Sequence, residues 1–125
     1  MKKIQKEVKA FMKERDWLNQ PPVDVAKSII IEAAELLENF QWSNFFVEEV
    51  EKDPELKEEI VKELADVFIY SIEMSILLGV DIEKIVHDKL VAAAKKYPVG
   101  VVNGSLGSKK YKAIKKKYRA DQSSK

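Results

Sequence analysis

Glu32-Ala33-Ala34-Glu35, inside the run Ser28–Phe40, and Glu63-Leu64-Ala65-Asp66-Val67-Phe68-Ile69-Tyr70, inside Glu58–Leu78, decide how this chain is read. In each, two carboxylates stand three residues apart, so on a helix they share one face about a turn from each other. Their surroundings matter more than their spacing. Leu64 and Ala65 precede Asp66, and Val67, Phe68, Ile69 and Tyr70 follow it, which is core sequence. Charges entering a core must be paired or must bind a cation, and four carboxylates cannot all pair with one another. The two clusters therefore predict a metal held by Glu32, Glu35, Glu63 and Asp66.

These four residues offer only hard oxygen ligands. Without His or Cys, such a set selects Mg²⁺, with Mn²⁺ as a substitute, over zinc or copper. Mg²⁺ keeps several waters and takes substrate phosphates as remaining ligands, so the expected substrate carries phosphate. A carboxylate-bridged di-iron bundle would need Glu-x-x-His on each of two helices. The single histidine, His87, has Lys84 three residues before it, which argues against that alternative.

Outward from these clusters the chain reads as helices. Lys2–Asp16 spaces Ile4, Val8, Phe11 and Met12 at helical intervals, with Trp17 at its end. Asn19-Gln20-Pro21-Pro22 breaks the pattern, and Pro22 suits the first turn of a second helix running from about Val23 to Asn39. On that helix Ile29, Ala33, Leu36, Leu37 and Phe40 form one apolar face. Ile30, Ile31 and Ala34 form another, with Glu32 and Glu35 between them. A helix apolar on two sides predicts a central bundle position or a subunit interface. Gln41–Pro54 reads as an irregular connector carrying Trp42, Phe45 and Phe46. Asp53 is a candidate N-cap for a third helix that closes at Gly79 and confines Glu59, Glu63, Asp66, Tyr70 and Glu73 to a narrow polar seam. Asp81 is expected to cap a fourth helix ending near Lys96, before Tyr97-Pro98. Val99–Ser108, with three glycines, reads as a loop. The expected fold is all-α: a four-helix bundle completed by oligomerisation, with a mobile basic C-terminal tail. The domain expected is 1–108, and the tail is 109–125.

The formal charge of +1 hides an asymmetry: residues 1–108 carry 14 Lys+Arg against 20 Asp+Glu, whereas the tail carries 8 against 1. That distribution suits a polyanion held through cations on one side and lysines on the other. The absence of cysteine excludes disulfide frameworks and thiol chemistry. No apolar run follows Met1-Lys2-Lys3-Ile4, and no window approaches a membrane span, so a cytoplasmic protein is expected.

The acidic words and their neighbours resemble the all-α nucleoside triphosphate pyrophosphohydrolases of the MazG-like superfamily. Their signature is Glu-x-x-Glu followed by Glu-x-x-Asp; here 27 residues separate Glu35 from Glu63. Glu14-Arg15-Asp16-Trp17, Phe40-Gln41-Trp42, Glu63 to Tyr70, Lys95-Lys96-Tyr97-Pro98 and Ser108-Lys109-Lys110-Tyr111 are similar, in that order, to the dCTP pyrophosphatase branch. The resemblance spans about residues 5 to 112. It implies Mg²⁺-dependent cleavage of a (d)NTP to a monophosphate and pyrophosphate, a homodimer or homotetramer, and a role in clearing surplus or noncanonical nucleotides. By position, Glu32, Glu35, Glu63 and Asp66 would hold metal, and Glu35 is the candidate for polarising water. Trp17 and Trp42 would border the base and Tyr70 would lie near the substrate. Lys89, Lys109 and Tyr111 would reach the phosphates, the first tail residues closing over the site. Ala93 departs from the pattern, because the family usually has asparagine there; dCTP is not implied over other nucleotides.

Two other classes stay open. A nucleic-acid-binding module would use the Lys109–Arg119 tail and leave the acidic clusters structural, although nucleic acid is not the partner the motifs favour. A catalytically silent interaction protein would keep the fold alone. Phosphoribosyl-ATP pyrophosphohydrolases share the acidic motif but lack the tryptophan words.

Overall fold

The computed structural model describes residues 2–100 and 109–123. Their helices are α1 (Lys2–Glu14), α2 (Pro22–Glu38), α3 (Val47–Glu51), α4 (Pro54–Leu77), α5 (Ile82–Lys96) and α6 (Lys109–Ser123), and no strand occurs among the described residues. The fold is all-α, as the periodicity predicts. No helix is long and apolar enough to cross a membrane among the described residues. The chain divides into two compact units, Met1–Glu83 and Lys84–Lys125. Of the predicted loop Val99–Ser108, only Val99 and Gly100 lie within the described residues.

In the first unit α4 is the common partner: α1, α2 and α3 all pack against it. Its start is fixed locally. Asp53 Oδ1 accepts from the Leu56 N–H at 3.0 Å, and Pro54 occupies the first turn, where a missing N–H is harmless. Its end is a Schellman turn. The Gly79 N–H donates to Ile76 O (3.1 Å) and the Val80 N–H to Ser75 O (2.9 Å), with Gly79 at φ +66°. The same closure ends α1, but with an aspartate in the left-handed position. Asp16 has φ +60°, its N–H donates to Lys13 O (3.2 Å), and the Trp17 N–H reaches Met12 O (2.9 Å). The turn that terminates α1 thereby fixes where Trp17 leaves the helix.

The core of this unit joins Val8 and Met12 of α1 to Ile72 of α4 and Ile82, with Leu18, Ile76 and Leu77 against them. Gln5 ties α1 to the end of α4, its Nε2 donating to Ser75 Oγ (3.0 Å) and Val80 O (2.8 Å). The connector predicted as irregular contains α3. There Glu49 Oε2 accepts from the Phe46 N–H at 2.8 Å, and Glu51 pairs with Lys57 of α4 at 2.7 Å. A single helical turn held by one side-chain cap and one ion pair leaves too short a period to be read from sequence.

In the second unit, the residues expected to form a mobile tail form α6. Lys109–Ser123 contains no Gly or Pro, and lysine is a good helix former. Tyr111 stacks on Tyr97 with ring centroids 4.9 Å apart, and Lys96 Nζ lies 3.9 Å over the Tyr118 ring.

Glu73 is an anomaly in the first unit, a carboxylate 2% exposed beside the core. Burial pushes its carboxyl up; the Gln20 amide pulls it partly back, although Gln20 Nε2 is buried without a hydrogen-bond partner among the described residues. A folded-state pKa raised above the unfolded value means that this group favours folding at acid pH and loses that contribution as pH rises through the folded pKa. Glu73→Gln should therefore raise the melting temperature at pH 7–8, and the gain should shrink on acidification toward the ordinary glutamate range. Thermal unfolding of both proteins across that pH range checks it.

Candidate active site

The contact between α2 and α4 is unusual in what it buries. On α2 the inward stripe is Val25, Ile29, Glu32 and Leu36, with Val25 fully buried and the others half-buried. On α4 the predicted polar seam turns inward: Glu63, Asp66 and Tyr70 are half-buried, whereas Val61, Leu64, Phe68 and Ile69 are exposed. The apolar face expected on α2 is split, with Ile29, Leu36 and Phe40 half-buried and Ala33 and Leu37 exposed. The helices thus meet through carboxylates where apolar side chains would ordinarily pack.

Glu32, Glu63 and Asp66 each present one carboxylate oxygen, and these oxygens lie within 4.8 Å of one another. Glu35 is not one of the three. It stands beside Glu32 and Glu63, close enough to hydrogen-bond either carboxyl when a proton is present, and is itself exposed. Burial raises the Glu32 carboxyl above its ordinary range, and the hydrogen bond and charge of Glu35, then the charges of Asp66 and Glu63, add to it. Burial likewise raises Glu63, with Glu35 and Asp66 adding and Lys62 opposing. Glu63 Oε2 is buried with no hydrogen-bond partner among the described residues. A carboxylate with a buried, unpartnered oxygen, set beside two further carboxylates, is compensated only by protons or by a cation.

Tyr70, one turn after Asp66 on α4, lies near the cluster. Burial raises its hydroxyl, the charges of Glu32, Glu73 and Asp66 raise it further, and a hydrogen bond with Ser28 lowers it. Beside the cluster lies a cavity of about 380 Å³ lined by Glu35, Glu38, Asn39, Glu59 and Glu63. Glu38, Asn39 and Ser28 escaped the sequence reading, though each sits three or four residues from Glu35 or Glu32 on the same helix row. Glu59 belongs to the predicted polar seam, which assigns it no role.

Over the same helices, the profile of the MazG-like family matches residues 27–120, which include all four carboxylates. The chain belongs to the MazG-like family. It is also similar to the crystal structure of a pyrophosphatase from Archaeoglobus fulgidus, at 35% identity over 78% of this chain and 92% of that one, with a TM-score of 0.68. Comparison with curated proteins gives no match.

The remaining candidates of this MazG-like chain are distributed between the units. Trp17, 44% exposed, meets Phe11 edge-on at 5.7 Å, and the Arg15 guanidinium lies 3.6 Å over the other member of that pair, Phe11. Trp42 is 88% exposed in the α2–α3 connection. Lys89, Lys109 and Tyr111 belong to the second unit, with Lys89 and Lys109 exposed and Tyr111 against Tyr97. Trp17 lies before the matched residues, so the family match does not extend to it.

Both raised carboxyls disfavour the folded state as pH rises through their folded values. Glu63→Gln, which removes one charge and gives the site an amide donor, should raise the melting temperature measured in chelator at neutral pH. An unchanged or lower value would mean that Glu63 is compensated within the chain.

Proposed function

We propose that this chain is a Mg²⁺-dependent nucleoside triphosphate pyrophosphohydrolase, with Mn²⁺ as a substitute, cleaving between the α and β phosphates to give a monophosphate and pyrophosphate. The observation that carries the reading is the inward-facing trio Glu32, Glu63 and Asp66 with the orphaned Glu63 Oε2 among them. Membership of the MazG-like family and the likeness to an archaeal pyrophosphatase support phosphoanhydride cleavage. Noncanonical or surplus nucleotides, including dCTP or a modified pyrimidine deoxynucleotide, are the substrate class.

The donor set fits the metal: three carboxylates, no nitrogen or sulfur ligand, and an open cavity beside them with room for phosphate and water. Glu32, Glu63 and Asp66 would hold the cation. When bound, it neutralises phosphate charge and stabilises the leaving pyrophosphate. Glu35, outside the trio but adjacent to Glu63, would accept the proton of the attacking water. The water oxygen bonds to the α phosphorus as the bond from that phosphorus to the bridging oxygen breaks. Tyr70, held by Ser28, would orient substrate at the edge of the cluster, and the exposed rings of Trp17 and Trp42 offer faces for a base.

Incubation with a panel of (d)NTPs and Mg²⁺ should yield monophosphate and pyrophosphate by chromatography; diphosphate and phosphate would place cleavage at the wrong bond. Glu35→Gln should lose about 100-fold or more in turnover, while the rise in melting temperature on adding Mg²⁺ persists. Glu63→Gln should lose both.

We propose further that the chain is a homo-oligomer. Ile30, Ile31 and Leu37 of α2 and Val61 and Phe68 of α4 are each more than half exposed, a density of uncovered apolar side chains atypical of a lone subunit. Light scattering should give a mass at a multiple of 14.3 kDa, and Ile31→Glu with Leu37→Glu should reduce it to a single chain. A monomeric parent protein would refute this assembly.

A further inference from the structure

Charge separates between the two units more sharply than between body and tail. Met1–Glu83 holds 10 Lys+Arg against 19 Asp+Glu, and Lys84–Lys125 holds 12 against 2. Within the second unit the basic residues are ordered by the helix. At about 100° per residue, Lys109, Lys112, Lys115, Lys116 and Arg119 of α6 fall within a sector of about 120°, along a rise of about 15 Å. The lone carboxylate of the helix, Asp121, falls on the opposite side, and Lys109, Lys112, Lys116 and Arg119 are exposed.

The apolar stripe of α6 is already in use. Tyr111 stacks on Tyr97, Lys96 covers one side of the Tyr118 ring, and Ile114 is half-buried. A helix that lies on a membrane must insert its apolar face among lipid chains, and here that face is engaged within the unit. Part of what α6 leaves to solvent is a row of cations flanked by the 41% exposed ring of Tyr118. Close beside lies a cleft of about 100 Å³ lined by Lys89, Ala92, Ala93, Lys96, Tyr97 and Tyr118. A linear array of cations bordered by an accessible aromatic face is the chemistry that holds a phosphodiester backbone and stacks a base.

We propose that the cationic face of α6 binds single-stranded nucleic acid. The cationic face belongs to the second unit and the carboxylates to the first, and the proposal does not draw on the hydrolytic reading. Lys112, Lys116 and Arg119 have no part in that reading, so they can be altered without touching it.

The test is fluorescence anisotropy of a labelled oligothymidylate with the full chain at two salt concentrations. Five phosphate contacts on a single strand predict a salt slope of about −3.5, or about 100-fold weaker binding when salt is raised fourfold from about 50 mM. K112Q/K116Q/R119Q leaves two contacts, so its fourfold-salt effect should fall to less than about tenfold and its low-salt affinity should drop. K112R/K116R should bind like the parent. Circular dichroism and pyrophosphate release from free nucleotides should be unchanged in both. No binding at low salt, or equal binding by the triple glutamine variant, would overturn the proposal. So would displacement by anionic phospholipid vesicles with the oligonucleotide bound no better than to the variant, which would assign the face to a lipid surface. Displacement by a stoichiometric free triphosphate would assign these cations to the substrate instead.

Discussion

Carboxylates facing one another across the α2–α4 contact impose the constraint on which the first unit depends. Two helices normally pack by burying apolar ridges, and each buried apolar side chain contributes about 1.5–3 kcal/mol. Here Glu32, Glu63 and Asp66 occupy the inward positions, while Ile30, Ile31, Leu37, Val61 and Phe68 point outward. Such a contact gives up hydrophobic stabilisation and adds mutual repulsion in a partly desolvated place. The rest of the unit is arranged so that the contact persists. Asp53 and Pro54 set the start of α4 and the Gly79 turn sets its end, while the small core of Val8, Met12, Ile72 and Ile82 anchors the far end against α1.

Stability and chemistry are thereby assigned to different stretches of one helix. The C-terminal half of α4 carries the core, with Ile72, Ile76 and Leu77 against α1 and the Gln5 side chain clasping Ser75 and Val80. Its middle carries the carboxylates and Tyr70. A raised proton affinity at Glu32 and Glu63 is the electrostatic mark of that middle stretch, caused first by burial and then by like charge. The same logic reaches Glu73, where the seam runs into the core and burial alone dominates.

The outward apolar residues are the counterpart of the inward acidic ones. A helix of this length has only so many positions, and turning the seam inward leaves Leu64, Phe68 and Ile69 on the other side. The two-sided apolar pattern of α2 has the same origin. In the second unit the arrangement is conventional, with Tyr111 and Tyr118 of α6 against Tyr97 and Lys96, Ile114 half-buried, and most of its lysines exposed.

Helix positions were legible in the sequence because they rest on local chemistry: Pro22 and Asp53 at starts, Gly79 at an end, and 3.6-residue spacing between. The pairing of Glu-x-x-Glu with Glu-x-x-Asp was legible for the same reason, since three-residue spacing fixes a shared face whatever the tertiary context. The helix at Val47–Glu51 was not, because one turn carries no periodicity, and α6 was not, because a lysine-rich segment reads as solvated until Tyr97 is known to lie against Tyr111. Only the tertiary structure decided which carboxylates meet. It placed Glu32 with Glu63 and Asp66, set Glu35 beside them, and drew Glu38, Asn39 and Glu59 to the adjoining cavity. Sequence spacing determines the face of a helix on which a side chain stands. The distance between atoms on two helices depends on how those helices cross, which is settled by packing between residues remote in the chain.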